Sequence, residues 1–138
     1  MSNLNTVDDC LFCKISSGVI PADVVMETQS AIAFRDIDPK APTHVLVIPK
    51  VETDKFFDLK DEYLTEILLF AKPIAKAIEA GFQCNRCGIS VIGLEVPHAH
   101  VHLVPMNRML DINFSQEKLK PSQESLAATA EKIRSYLL

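Results

Sequence analysis

The chain has no dense run of lysine and arginine. Its 14 basic residues are outnumbered by 18 acidic ones, giving a formal net charge of -4 and a pI near 5.5. It therefore presents no global basic field to a nucleic-acid backbone. No apolar stretch approaches the roughly 18 residues that a spanning helix needs. The opening segment, MSNLNTVDDC, contains neither the basic nor the apolar region of a secretory leader, which points to the cytoplasm. Repeats and low-complexity tracts are also missing. With 138 residues, 48% of them hydrophobic, and a mean hydropathy of +0.14, the chain reads as one globular domain with a modest core.

Cysteine is sparse but patterned. The four cysteines form two Cys-x-x-Cys pairs, Cys10/Cys13 and Cys84/Cys87. In a reducing compartment such pairs point to metal or redox chemistry more than to structural disulfides.

Residues 9–18 read as a short helix ending at Gly18. DVVMET, SAIAFRDI and THVLVIPK read as three strands, with DPKAP forming a turn between the last two because Pro39 and Pro42 fix φ. Residues 59–80 carry Leu64, Ile67, Leu68, Ala71, Ile74, Ala75 and Ile78 at helical spacing. Asp58 is placed to cap that helix and Gly81 to end it, while Pro73 predicts a kink or break. CGISVIG and AHVHLVPM read as two further strands. A last helix from about residue 122 puts Leu126, Ala130, Ile133 and Leu137 on one side. Five strands, two of the pairs close in sequence, predict an α+β domain with a mostly antiparallel sheet and helices packed on it.

Three of the four histidines fall in VPHAHVHLVP, at His98, His100 and His102. On a strand this spacing puts all three imidazoles on one face and Ala99, Val101 and Leu103 on the other. One histidine in such a place would be an ordinary half-buried polar residue. Three in strict alternation point to chemistry, either metal ligation or nucleophilic catalysis by one imidazole. The zinc deaminase pattern does not fit, since there is no His-x-Glu and Gln83, not proline, precedes Cys84.

The run from His98 to Val104 resembles the His-φ-His-φ-His-φ-φ signature, φ being apolar, of the histidine triad (HIT) family. CLFCKISSGVIPADVV resembles that family's N-terminal helix and loop, and AIAFRDIDPKAPTHVLVIPK its central hairpin in the form of the Hint branch. The resemblance covers most of residues 10–105, with 106–138 as a C-terminal extension and helix. It implies the HIT-like fold, a five-stranded sheet with two main helices and a short N-terminal one, and a homodimer. It further implies a hydrolase or transferase acting on a purine nucleoside phosphate derivative. His100 would be the nucleophile, forming a covalent nucleotidyl-imidazole that water cleaves to release a nucleoside monophosphate. His102 would donate hydrogen bonds to phosphate oxygens, and a backbone carbonyl would hold the far nitrogen of His100. Asp36 would accept from the ribose hydroxyls. Leu11, Phe12, Ile15, Ile20, Phe34 and Ile37 would pack around the base, although composition alone would make these six core residues and Asp36 a turn residue.

The Hint branch carries Asn-x-Gly-x-x-Gly-Gln-Ser before the triad. Here Gly93 is retained, Leu94 and Glu95 replace the glutamine and serine, and Cys87 replaces the asparagine. Glu95 is thus either a solvent-facing residue or a general acid for the leaving group. The resemblance leaves a Fhit-type dinucleoside polyphosphate hydrolase and a nucleotide-binding interaction protein as alternatives. It also implies a structural zinc held by Cys10, Cys13, His44 and His98, with no cofactor needed for the chemical step. Cys84 and Cys87 receive no role.

Overall fold

The computed structural model of the chain describes residues 10–36, 44–113 and 122–137. Ile37, the expected DPKAP turn and residues 114–121 of the expected extension lie outside the described residues.

Two short apolar strands form the centre. β1 (Val24–Glu27), β2 (Ala31–Arg35) and β3 (Val45–Pro49) follow one another, and every residue of β2 and β3 is buried. Burial at every position means that both faces of these strands are covered. β4 (Arg86–Ser90) and β5 (Val101–Met106) complete a sheet in the order β1-β2-β3-β5-β4, antiparallel at each pairing. The expected α+β class with five strands is what the chain adopts.

Three helices are described: α1 (Leu11–Ser16), α2 (Asp61–Gly81) and α3 (Gln123–Ser135). Ala31, Ala33, Val45, Val47, Val101 and Leu103 project from one sheet face into the apolar sides of α2 and α3, including Ile67, Ile74, Ile78 and Ile133. Each large apolar side chain buried there contributes about 1.5–3 kcal/mol relative to exposure. Ile32, Phe34, Leu46 and Ile48 project from the opposite face and meet Phe12 and Ile15 of α1. The triad histidines lie on that second side of the sheet. Among the described residues no helix is long and apolar enough to cross a membrane.

Several boundaries differ from expectation. α1 is shorter than 9–18, because Cys10 is its N-cap, its Sγ accepting the Cys13 N–H at 3.1 Å, and Gly18 follows at φ +86°. Asp58 does not cap α2. It closes a 3-10 turn (Phe56–Asp58), and Lys60 is the N-cap, without a side-chain bond. α2 runs through Pro73 without a break. The N–H that proline lacks would have met the carbonyl of Leu69, whose side chain is 64% exposed, so the gap lies away from the sheet. Gly81 ends α2 for a steric reason: a Cβ there would stand 2.8 Å from the Tyr136 ring. α3 begins as expected, with Ser122 Oγ accepting the Ser125 N–H at 3.1 Å. Leu126, Ala130 and Ile133 are buried and Leu137 is half-buried against the core.

Candidate active site

The triad strand starts later than its sequence suggests. β3 and β5 pair only as far as Val47 opposite Val101, so His102 is on β5 while His98 and His100 lie in the segment that leads into it. That segment is pinned by other bonds, with the Ala99 N–H donating to the Thr53 carbonyl at 2.6 Å. The alternation survives. Ala99, Val101 and Leu103 are buried, and the three imidazoles go to the α1 side of the sheet.

Backbone carbonyls orient two of the imidazoles. The His100 Nδ1–H donates to the His98 carbonyl at 2.6 Å. A carbonyl only accepts, so the proton is on Nδ1 and the lone pair on Nε2. By the same logic the His98 Nε2–H donates to the Pro49 carbonyl at 2.9 Å, leaving Nδ1 unprotonated. Nδ1 lies 3.2 Å from Cys10 Sγ and 3.4 Å from Cys13 Sγ. The ring of Phe12 meets His98 and His100 edge-on, with centroids 6.0 and 5.0 Å apart, and meets Phe34 at 5.7 Å. His100 and His102 are 4.9 Å apart at their centroids.

Cys10 and Cys13 are joined as a disulfide in the structure. A disulfide carries no thiolate, so this pair binds metal only once reduced. Both sulfurs and His98 Nδ1 lie within 4.8 Å of one another, a donor set of the right chemistry for zinc. The bond from His98 Nε2 to Pro49 fits as well, because metal-binding imidazoles usually donate their other N–H to a carbonyl.

His44 does not join that cluster as expected. Its Nε2 lies 2.9 Å from His102 Nδ1 and its Nδ1 3.5 Å from Asp36 Oδ2. The reason is its place on the sheet. His44 precedes β3 at one end, whereas Pro49, which receives His98, is at the other. At about 3.3 Å per residue the two ends are on the order of 16 Å apart. Asp36 thus faces His44, a contact included neither in the turn reading nor in the ribose role that resemblance implied.

Burial shapes the electrostatics. The His102 pKa is pushed down to about 3, first by burial and then by His44 and His100, with Asp36 opposing. His98 is also lowered, first by burial, against the Pro49 carbonyl and the charge of Glu52.

The residues expected around the base separate. Phe12, Ile15 and Phe34 are buried, Ile20 is half-buried and Leu11 is 39% exposed. Ile15 and Ile20 line a cleft of about 290 Å³ with Ser17, Gly18, Val24 and Ile32. Glu95 is exposed in the β4–β5 loop, two residues after Gly93, which sits at φ +75°. Two features escaped the sequence reading: the Pro49 carbonyl as a partner of His98, and Glu52 as a charge acting on it. A backbone carbonyl leaves no side-chain signal, and Glu52 lies 46 residues from His98.

The HIT domain family model matches residues 17–109. The chain belongs to the HIT family. It is 39% identical over 97 residues to the adenosine 5'-monophosphoramidase HNT1 of Saccharomyces cerevisiae, a match covering 70% of this chain and 61% of the yeast protein, so under two thirds of that relative's length. It is 34% identical over 130 residues to adenosine 5'-monophosphoramidase hnt1 of Schizosaccharomyces pombe, covering 93% of this chain and 98% of that protein. A Zn-bound histidine triad family protein from Mycobacterium smegmatis superimposes with a TM-score of 0.78 at 26% identity, over 94% of each chain.

Proposed function

We propose that the protein is a nucleotide hydrolase or transferase that attacks the α-phosphorus of purine nucleoside phosphoramidates or related nucleoside phosphate derivatives. One observation carries this reading: the His98 carbonyl holds the His100 Nδ1–H at 2.6 Å and leaves the Nε2 lone pair free. A neutral imidazole so oriented is a good nucleophile near pH 7. The His100 Nε2–phosphorus bond forms as the bond to the leaving group breaks, and water then displaces His100 to release the monophosphate. Two fungal relatives that carry the name adenosine 5'-monophosphoramidase support the choice of substrate.

Asp36 would take the ribose hydroxyls, as family resemblance implies. Ile15 and Ile20 offer an apolar wall to the base, with Leu11 at its edge. With Cys10 and Cys13 reduced, these two and His98 would hold a zinc ion whose role is structural. Such an ion would tie α1 to the triad segment. The name of the Zn-bound mycobacterial relative supports a metal in this family. A homodimer completes the reading, since Leu68 and Leu69 on α2 are 50% and 64% exposed.

The test is a turnover screen with adenosine 5'-phosphoramidate beside diadenosine polyphosphates, for wild type and His100→Ala. The variant is expected to lose at least about a thousandfold in kcat, as when a nucleophile is removed, while still binding nucleotide. Wild-type turnover in His100→Ala would overturn the assignment.

A further inference from the structure

Cys10 and Cys13 share a disulfide but not an environment. Cys10 is 4% exposed, whereas Cys13 is half-buried. A thiolate opens a disulfide by attacking one of its two sulfurs, so the sulfur that can be reached decides the order of events. Here that sulfur is Cys13. Cys10 is then the sulfur that leaves, and the Cys13 N–H that donates to its Sγ at 3.1 Å is placed to stabilise the charge it acquires. We propose that Cys10–Cys13 is a thiol-exchange site, in which Cys13 forms a mixed disulfide with a low-molecular-weight thiol, Cys10 resolves it, and the closed disulfide and zinc exclude one another. The exclusion rests on the zinc reading given above. The exchange does not.

Atoms and electrons balance in both directions. In reduction, a small thiolate attacks Cys13 Sγ, the Cys10–Cys13 bond breaks, and Cys10 leaves as a thiolate. A second small thiolate then attacks the small-thiol sulfur of the mixed disulfide and releases Cys13. The protons of the two small thiols end on Cys10 and Cys13, and a small disulfide carries away the oxidation. In the reverse direction Cys13 thiolate attacks the small disulfide and expels one small thiolate. Cys10 then attacks Cys13 Sγ, closes the internal bond and expels the second. Starting from a zinc-loaded pair, the products of closure are the internal disulfide, two small thiolates and the free ion.

The surroundings suit a reversible site. The His98 ring is held by the Pro49 carbonyl at 2.9 Å, so its position does not depend on the sulfurs. In the closed state its Nδ1 already faces them, at 3.2 and 3.4 Å. Opening the bond therefore produces two sulfur donors beside a third donor that is in place. The ratio of small thiol to small disulfide around the chain thus sets metal occupancy. Cys84 and Cys87 repeat the spacing without the chemistry. They are unbonded, and burial, followed by the charge of Glu79, pushes the Cys87 thiol up to about 12, away from the reactive thiolate.

Two experiments test the site, with glutathione disulfide as the probe. Reduced Cys10→Ser and Cys13→Ser proteins are exposed to it, acid-quenched and peptide-mapped, which separates these positions from Cys84 and Cys87. Cys10→Ser should accumulate a glutathionyl adduct on Cys13, and Cys13→Ser should leave Cys10 unmodified over the same time. Adduct forming equally fast on Cys10 would overturn the assigned order. Should a variant not fold, wild type sampled during oxidation carries the same expectation: a transient adduct on Cys13, none on Cys10, then closure. Closure with no adduct at either position would overturn the exchange. In the second experiment, reduced wild type loaded with zinc is titrated with glutathione disulfide beside a chromophoric zinc indicator. Near-stoichiometric zinc should be lost in step with closure of Cys10–Cys13. Zinc retained by protein whose internal disulfide has formed would overturn the exclusion. Reduced protein that takes up no zinc would remove the zinc reading and the exclusion with it, and the adduct map alone would decide the exchange.

Discussion

The Nε2–H of His98 donates to the carbonyl of Pro49 across 2.9 Å, which fixes the ring with its other nitrogen towards Cys10 and Cys13. One imidazole therefore serves two neighbours. Its ring faces the sulfurs, and its carbonyl, on the same residue, orients His100.

That geometry separates two ligand sets for zinc. Protein reduced and purified without a metal-affinity tag should contain near-stoichiometric zinc by elemental analysis. Cys10→Ser/Cys13→Ser and His98→Ala should each lose it, and His44→Ala should keep it, because His44 is at the other end of β3 beside Asp36 and His102. Zinc lost on removing His44 would favour the ligand set implied by family resemblance over the observed one.

His102 links stability to pH. Its folded pKa, about 3, lies below its ordinary value of 6.5, so the unfolded chain binds the extra proton first as pH falls. The contribution is complete above pH 6.5 and is lost progressively between 6.5 and about 3. The slope approaches about 1.4 kcal/mol per pH unit at its steepest. Urea midpoints measured across that window should fall for wild type and fall less for His102→Gln. Parallel curves would show that His102 does not carry the effect.

Glu95 is exposed and within five residues of the proposed nucleophile. If it assists the leaving group, Glu95→Gln should change the ratio of kcat/KM between amine and alcohol leaving groups by about tenfold. An unchanged ratio on both substrate types would return Glu95 to the solvent-facing reading.

The exposed leucines of α2 predict the assembly. Sedimentation should give twice the 15.3 kDa chain mass at micromolar concentration, and Leu68→Glu/Leu69→Lys should bring it to one chain. A wild-type monomer would remove the dimer from the reading.

How much of this was legible beforehand depends on the range of the forces involved. Periodicity located α2 and α3, and short β-type apolar runs located the five strands, two of which are buried on both faces and show no alternation. Helix caps were less visible: Asp58 had the right chemistry for one, but a 3-10 turn displaced the start of α2 by two residues. The triad was legible as a motif, and its alternation persisted past the end of strand pairing. The partner of His44 was not. Which imidazole or thiol it meets depends on the register of β3 against β5, Val45 opposite Leu103, and pairs so distant in sequence leave no local pattern. Resemblance grouped Cys10, Cys13, His44 and His98; the first two and His98 lie together, and His44 lies in the other cluster.

The sheet has one face for α2 and α3 and another for the histidines, and β5 supplies both in alternation. Along this single strand, odd positions such as Val101 and Leu103 answer to packing, and the even position His102 answers to chemistry. Random substitutions here should therefore sort by parity, with odd positions selected for abundance and His102 for turnover. An insertion of one residue before Val101 would exchange the two sets, carrying imidazole into the helical core and leucine towards the nucleotide. Such a variant should lose folding and catalysis together, although only one of the three histidines lies on a paired strand.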